Sequence, residues 1–222
     1  MKRPQTRVVL AITADGKIAD EKRSPARFGS AIDKAHLEKQ ISLVDGVIFG
    51  AGTLRAYGTS LPIKDPNLLA NRAKSNLAPQ PIHIVCSASG SLDPNLPFFN
   101  QPIPRWLLST PKGAKRWQNN KDSFDRILIA NPIDWIEIFA RLAELGIKKL
   151  AILGGGELIA SLLPLDLIDE FYLTVCPLLL GGKNAPTPVE GIGLDPKVAK
   201  KLYLVGIEAI ESEVFLHYRL QH

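Results

Sequence analysis

Short apolar runs alternate along this chain with segments whose apolar residues recur every three or four positions. Short β-branched runs are typical of buried strands, and the longer spacing is typical of helices. The first two thirds of the chain therefore predict an α/β fold. Its strands are predicted at residues 7–12, 45–50, 82–86, 105–109 and 126–130.

Two segments have helical periodicity. Residues 33–43 are predicted to form a helix that begins at an N-cap, Asp33. In NPIDWIEIFARLAELGIKK, Asp134 is predicted as N-cap and Glu137 as its capping-box partner, and Gly146 ends the helix. The strand KKLAIL follows that helix. A strand, a helix and a strand in succession predict a parallel pair joined by a right-handed crossover.

The last third of the chain has a different pattern. Residues 169–180 predict a long strand interrupted by Pro177. Residues 201–208 and 213–220 alternate like the two strands of a hairpin. No repeat and no convincing linker divides the chain, so we predict one domain with a mixed sheet over residues 1–222.

Composition adds limits on the class of protein. The 222 residues are 45% hydrophobic and 22% charged, which fits a globular domain. No apolar run approaches the ~18 residues of a membrane helix, and the N-terminus does not resemble a signal peptide. We therefore predict a cytoplasmic protein without a membrane partner. Residues 59–81 predict a long loop.

Metal and nucleic-acid sites have weak support in the sequence. Cys86 and Cys176 form no CxxC motif, and the four histidines lack metal-ligand spacing, so no metal site is predicted. The net charge of +5 is compatible with nucleic-acid binding. The basic residues are scattered, however, and an enzyme that binds phosphorylated ligands explains the charge equally well. We therefore predict no nucleic-acid partner.

Two glycine-rich junctions carry the candidate chemistry. In LAILGGGELIASLLP, Gly154–Gly156 separate a strand from a helix that begins near Glu157, and in DGVIFGAGT, Gly50 and Gly52 follow a strand. The amides of a helix N-terminus attract anions, and bare glycines let a pyrophosphate approach the backbone. Two such junctions suit a dinucleotide, although glycine-rich turns also occur without ligands. Neither junction is a GxGxxG or P-loop motif.

Six segments in order resemble one family, the reductase domain of bacterial riboflavin biosynthesis, which is the C-terminal half of the bifunctional pyrimidine deaminase/reductase. They are TADGKIA (13–19), DGVIFGAGT (45–53), DPNL (65–68), LGGGEL (153–158), DEFYLTVCPLLLGG (169–182) and the closing hairpin. The resemblance implies the three-layer dihydrofolate reductase-like fold, with a mixed, mostly parallel sheet and a C-terminal antiparallel hairpin. It also implies a homodimer, to which the 169–180 strand contributes.

The resemblance further implies NADPH as cofactor. The implied contacts are Gly50, Gly52, Thr53 and Leu54 at one junction, and Gly154, Gly155, Gly156, Glu157 and Leu158 at the other. Ser87 and Ser109 follow strands and either hold the 2′-phosphate or ribose, or are ordinary loop residues. Asp15 and Lys17 are the implied catalytic residues beside the nicotinamide, and either is a candidate for the proton-linked group. An exposed turn lysine is the alternative interpretation of Lys17.

The family's reaction is a hydride transfer that converts the ribosyl side chain of a phosphorylated aminopyrimidine to ribityl. The implied substrate residues are Lys64, Asp65, Leu68, Arg72 and Leu153. This half departs from the family pattern: Leu153 replaces an acidic residue, Lys64 replaces an Asp, and Asn71 occupies the position of an Arg. A reductase of another planar heterocycle, such as a pterin, and a non-catalytic nucleotide-binding module therefore remain alternatives. The zinc motifs of the companion deaminase do not occur.

Overall fold

The structure is a computed structural model that describes residues 2–120 and 122–221. The chain divides into two compact units, one of Met1–Pro4 with Glu38–Ala151 and one of Gln5–Leu37 with Ile152–His222. The strands are β1 (Gln5–Thr13), β2 (Gly46–Gly50), β3 (Ile82–Cys86), β4 (Arg105–Ser109), β5 (Arg126–Ile129), β6 (Lys149–Ile152), β7 (Glu170–Cys176), β8 (Leu202–Ile210) and β9 (Glu213–Leu220). The α-helices are α1 (Ala31–Ser42), α2 (Ala51–Tyr57), α3 (Pro66–Lys74), α4 (Pro111–Lys115), α5 (Trp135–Glu144) and α6 (Gly156–Leu162). Two short 3₁₀ segments are Pro97–Asn100 and Leu163–Leu165.

The first unit is built on neighbouring strands in the order β5-β4-β3-β2-β6. β2 pairs parallel with β3, β3 with β4 and β4 with β5. Residues 46–49 of β2 are all buried, as expected for a strand of a parallel sheet that is covered on both faces.

Helix α5 follows its sequence signals closely. The Asp134 carboxylate accepts hydrogen bonds from the backbone N–H groups of Ile136 and Glu137. Gly146 lies beyond the helix end with a φ of 91°, a conformation that favours glycine. The predicted N-cap and stop are therefore confirmed. The buried residues of the helix are Ile138, Phe139 and Leu142, whose spacing places them on one face.

The second unit contains strands in the order β1-β7-β9-β8. β1 pairs parallel with β7, and β9 runs antiparallel to both β7 and β8. The hairpin of β8 and β9 confirms the prediction, although β8 runs longer and its register shifts between Leu204 and Gly206. Mostly parallel strands, helices around them and a C-terminal antiparallel hairpin confirm the predicted fold class.

Four predictions about the helices and strands were wrong in detail. Helix α1 begins before Asp33, because the Ser30 hydroxyl accepts the backbone N–H groups of Ile32 and Asp33 and acts as the cap. The predicted loop 59–81 contains helix α3. Its cap is Asp65, whose carboxylate accepts the N–H of Asn67, and Pro66 occupies the first helical position.

The third concerns strand order, and the fourth concerns the length of a strand. β5 and β6 flank α5 in sequence, but β4, β3 and β2 lie between them, so the crossover does not join neighbouring strands. The predicted strand 169–180 ends at Cys176, immediately before Pro177, which has no N–H to donate to a neighbouring strand. None of the helices in the described residues is long and apolar enough to cross a membrane.

Candidate active site

The first glycine junction lies in the first unit, where β2 ends and α2 begins. Gly50 is the N-cap residue in an extended conformation, and Gly52 is the second residue of the helix. A Cβ built on Gly52 would meet no described atom within 4 Å. Since alanine favours a helix more than glycine does, the packing of this chain gives no reason for a bare backbone here. The space above this turn is open to a ligand.

The neighbouring residues of this junction differ in their accessibility. Thr53 is half-buried, whereas the Leu54 side chain is fully buried. Leu54 therefore belongs to the core of its unit, and only its backbone remains for the predicted cofactor contact.

The second junction lies in the second unit, and the local structure of the chain explains two of its glycines without a ligand. Gly154 has a φ of 100°, which favours glycine, and the Gly154–Gly155 peptide bond is cis. Gly155 is the N-cap of α6. A Cβ on Gly156 would lie 2.4 Å from the carbonyl oxygen of Thr187. Close approach of its own chain therefore explains Gly156 without a ligand.

Other predicted contacts of this junction lie beside the glycines. Glu157 is exposed, Leu158 is buried, and the half-buried Leu153 follows β6 with an apolar side chain that accepts no hydrogen bond.

Residues 177–191, which we call the strap, connect this glycine turn to the loop after β1. The backbone N–H of Glu190 donates to the carbonyl oxygen of Gly156 at 3.2 Å. The Glu190 carboxylate forms two hydrogen bonds with the Arg23 guanidinium, at 2.7 and 3.2 Å. The strap was missed in the sequence; its signal was a Pro- and Gly-rich stretch without periodicity between a strand and the closing hairpin.

Asp15 holds the other end of the strap. Its Oδ1 accepts hydrogen bonds from the Thr13 hydroxyl at 2.6 Å and the Leu180 N–H at 3.0 Å. Its Oδ2 accepts the Gly181 N–H at 2.7 Å. The Thr13 hydroxyl and these backbone donors lower the pKa of Asp15 to about 2. Asp15 is therefore ionised at neutral pH and cannot donate the proton of the predicted reaction. Of the two candidates from the sequence, Asp15 and Lys17, this leaves Lys17.

Lys17 also faces the strap. Its Nζ donates to the carbonyl oxygen of Ala185 at 3.3 Å, and its backbone N–H donates to the Thr13 hydroxyl at 2.8 Å. The next residue, Ile18, donates its N–H to the carbonyl oxygen of Pro186 at 2.9 Å. The structure brings the two predicted catalytic residues together along one segment. An ammonium has three donors, so Lys17 has capacity to bind a ligand as well.

The two serines are engaged within the first unit. Ser109 is fully buried, and its hydroxyl donates to the carbonyl oxygen of Ser87 at 2.7 Å. Ser87 is 4% exposed. Their side chains are therefore buried where β3 and β4 end, which favours the alternative that they are structural residues and disfavours contact with a ribose or 2′-phosphate.

The predicted substrate residues of the first unit differ in their surroundings. Asp65 caps α3, and its backbone N–H donates to the Glu38 carboxylate, a partner that sequence reasoning missed. The Lys64 side chain is exposed.

Arg72 is 2% exposed, and it donates to the carbonyl oxygens of Ala78, Ser42 and Val44 at 2.7, 2.8 and 2.8 Å. The geometry of Arg72 is that of a structural residue, because three backbone carbonyls already occupy Nε and Nη1. The half-buried Leu68 lies one helical turn from Arg72 on α3.

Comparison with solved structures defines the class of fold. A dihydrofolate reductase from Enterococcus faecalis, complexed with NADP(H), superposes with a TM-score of 0.55 at 11% identity, over 98% of this chain and 97% of that one. A pyrimidine reductase-like protein from Corynebacterium diphtheriae superposes with a TM-score of 0.83 at 20% identity, over 99% and 92%. The fold is therefore that of dihydrofolate reductase.

Comparison of sequences identifies the family. Residues 4–216 match the RibD C-terminal domain, and the chain belongs to that family. A relative from Archaeoglobus fulgidus, named 2,5-diamino-6-ribosylamino-4(3H)-pyrimidinone 5′-phosphate reductase, is 27% identical over 85% of this chain and 87% of its own length. The resemblance inferred from the six sequence segments is confirmed.

Proposed function

We propose that this protein is an oxidoreductase that uses NADPH to reduce a phosphorylated ribosylaminopyrimidine. The observation that carries the proposal is the match of residues 4–216 to the RibD C-terminal domain. The relative from Archaeoglobus fulgidus is named as a reductase of such a compound. The proposed reaction adds a hydride and a proton to the ribosyl side chain and yields the ribityl product.

The geometry at Gly52 supports a cofactor contact in the first unit. Its missing Cβ leaves open space at the first turn of α2, where backbone N–H groups lack intrahelical acceptors. We propose that this turn binds a phosphate of NADPH. When bound, NADPH supplies the hydride, and the protein orients the reactants and excludes water.

Lys17 is the residue that we propose to contact the substrate. Its ammonium favours an anionic or electron-rich group of the substrate, and the Ala185 carbonyl fixes its direction. Asp15 acts differently, because its carboxylate holds the strap and has no proton to give at neutral pH. The proton therefore comes from Lys17 or from water.

A reductase of another planar heterocycle, such as a pterin, is a second candidate function. The observation behind it is Leu153, which replaces an acidic residue of the family pattern and accepts no hydrogen bond. The homodimer implied by the family resemblance stays a prediction, as do the cytoplasmic location and the single domain predicted from the sequence.

The test measures NADPH binding and turnover with a matched pair of variants. Gly52→Ala should weaken NADPH binding about tenfold, or about 1.4 kcal/mol, without lowering the melting temperature. Gly206→Ala is the control, since its Cβ would also enter open space, 4.0 Å from the nearest described atom. It should leave NADPH binding unchanged.

Substrate assays separate the two candidates. The purified protein is given NADPH with 2,5-diamino-6-ribosylamino-4(3H)-pyrimidinone 5′-phosphate or with dihydrofolate. Turnover of the pyrimidine supports the proposal, and turnover of dihydrofolate alone supports the second candidate. No binding at millimolar NADPH would contradict both.

A further inference from the structure

A cavity lies in the first unit, at the opposite end of β2 from the glycine junction. Its volume is about 350 Å³, within the ~300–1,000 Å³ usual for small-molecule sites. Asp45, immediately before β2, and Lys148, immediately before β6, line it. The five residues of β2 separate it from Gly50 by roughly 16 Å. It is therefore distinct from the first glycine junction, and its lining includes Leu68 and Arg72, which the family resemblance implied as substrate residues.

The lining of this cavity is strongly cationic. Lys39, Arg72, Lys148 and Lys149 contribute four positive charges and Asp45 one negative charge, for a balance of +3. The Asp45 carboxylate is already engaged, because its Oδ2 accepts the backbone N–H groups of Lys148 and Lys149 at 2.8 and 2.7 Å. Like charges around one cavity repel each other, and a bound anion would relieve that repulsion.

Arg72 adds a directed group to this charge. Arg72 is only 2% exposed, and its Nε and Nη1 donate to three backbone carbonyls. Within residues 2–120 and 122–221, its Nη2 makes no hydrogen bond. An anionic oxygen in the cavity would accept a charge-assisted hydrogen bond from this donor.

The remaining lining is apolar and defines the other part of the ligand. Leu43, which is 45% exposed, lines the cavity together with the half-buried Leu68 and Leu77. An exposed leucine beside a cationic cavity favours a ligand with an apolar body and an anionic end. We propose that this cavity binds a small phosphorylated compound with a planar ring, with its phosphate near Arg72 and the lysines and its ring against the leucines.

Pyridoxal 5′-phosphate is a suitable probe, because it combines a planar ring, a phosphate and an aldehyde. The aldehyde forms an imine with a lysine Nζ and releases water, and borohydride reduces that imine to a stable amine for peptide mapping. The experiment uses the full chain with saturating NADPH, which protects the proposed active site. We expect the adduct on Lys39, Lys148 or Lys149, and inorganic pyrophosphate should suppress it.

Two pairs of variants make the result specific. Leu43→Glu should lower the adduct yield about tenfold, the change produced by about 1.4 kcal/mol, while Leu165→Glu, at a leucine that is 40% exposed elsewhere, should not. Lys39→Glu and its control Lys34→Glu on the same helix provide an independent pair if Leu43→Glu does not fold. Labelling spread over exposed lysines, or equal effects of a variant and its control, would overturn the proposal.

Discussion

The carboxylate of Asp15 accepts the backbone N–H of Gly181 at 2.7 Å, across a separation of 166 residues. The second oxygen of the same carboxylate accepts the N–H of Leu180. One ionised side chain thus fixes the start of the strap to the loop after β1. Lys17, the residue proposed to contact substrate, lies two residues further along that loop, so its position depends on the same carboxylate.

Asp15→Asn should loosen the strap. An asparagine has one acceptor oxygen, and its amide group would face a backbone N–H that it cannot satisfy. Lys183 is exposed in the strap between Gly182 and Asn184, so trypsin cleavage after Lys183 reports the loosening. We expect faster cleavage in Asp15→Asn than in the parent protein, measured by mass spectrometry over time.

Asp20→Asn is the matched control for this prediction. The Asp20 carboxylate accepts the Ser24 N–H at 2.8 Å within the same loop. Its replacement should leave cleavage after Lys183 unchanged. Equal acceleration in both variants would show that Asp15 does not hold the strap specifically.

Gly156→Ala should destabilise the protein by about 1–3 kcal/mol, the usual cost of adding a methyl group to a filled space. The new Cβ would lie 2.4 Å from the Thr187 carbonyl oxygen and 2.7 Å from Cγ of Glu190. Urea unfolding measures the loss. Gly52→Ala is the control, because its Cβ would meet no described atom within 4 Å and should cost nothing. Similar losses in both variants would contradict the packing argument.

Local signals account for the parts of the fold that the sequence predicted well. β3 and β4 have the predicted bounds, because each is a compact apolar run whose flanking residues break the pattern. Helix α5 was predicted with its caps, since Asp134 and Gly146 act on their immediate neighbours. The order of the motifs added the fold class, which no single segment could supply.

Contacts between distant backbone groups could not be predicted in this way. The strap is held by hydrogen bonds such as Glu190 N–H to the Gly156 carbonyl, which leave no periodic or compositional trace. Arginine is usually exposed, so nothing local indicated that Arg72 is buried against three carbonyls. Helix α3 did carry a signal, an Asp before a Pro, but the surrounding prolines and asparagines suggested a loop.

Arg72→Lys should destabilise the protein by about 3 kcal/mol. Lysine has no planar fork of donors, so it cannot reach the carbonyls of Ser42, Val44 and Ala78 together, and buried acceptors are left unpaired. Urea unfolding is again the measurement. A variant of unchanged stability but weakened substrate binding would instead support the substrate role implied by the family resemblance.

Arg55→Lys is the control for that substitution. The exposed Arg55 makes one 3.3 Å contact, from Nη1 to the carbonyl oxygen of Ser91. Its replacement should change the free energy of unfolding by less than about 0.5 kcal/mol, as is usual for surface positions.

His83 should make stability fall with acidification. Its ring is fully buried in β3, with Nδ1 2.7 Å from the Ser60 hydroxyl, and its Nε2 has no partner in the described residues. Burial, with a smaller contribution from Arg105, lowers the pKa of His83 from 6.5 to about 3. Below pH 6.5 the unfolded chain therefore binds a proton at His83, whereas the folded chain binds it only near pH 3. Stability is fully present above that pH and should decline by about 1.4 kcal/mol per pH unit towards pH 3.

His83→Gln removes the titrating group and should flatten this part of the pH profile, measured as the free energy of urea unfolding between about pH 7 and pH 4. Glutamine keeps a polar end but does not titrate. The variant therefore loses some stability at neutral pH, and its free energy of unfolding depends less on pH. His36→Gln is the control, since His36 is a half-buried histidine on α1 that packs against Phe215. This variant should retain the slope of the parent protein. An unchanged slope in His83→Gln would mean that other groups govern the acid sensitivity.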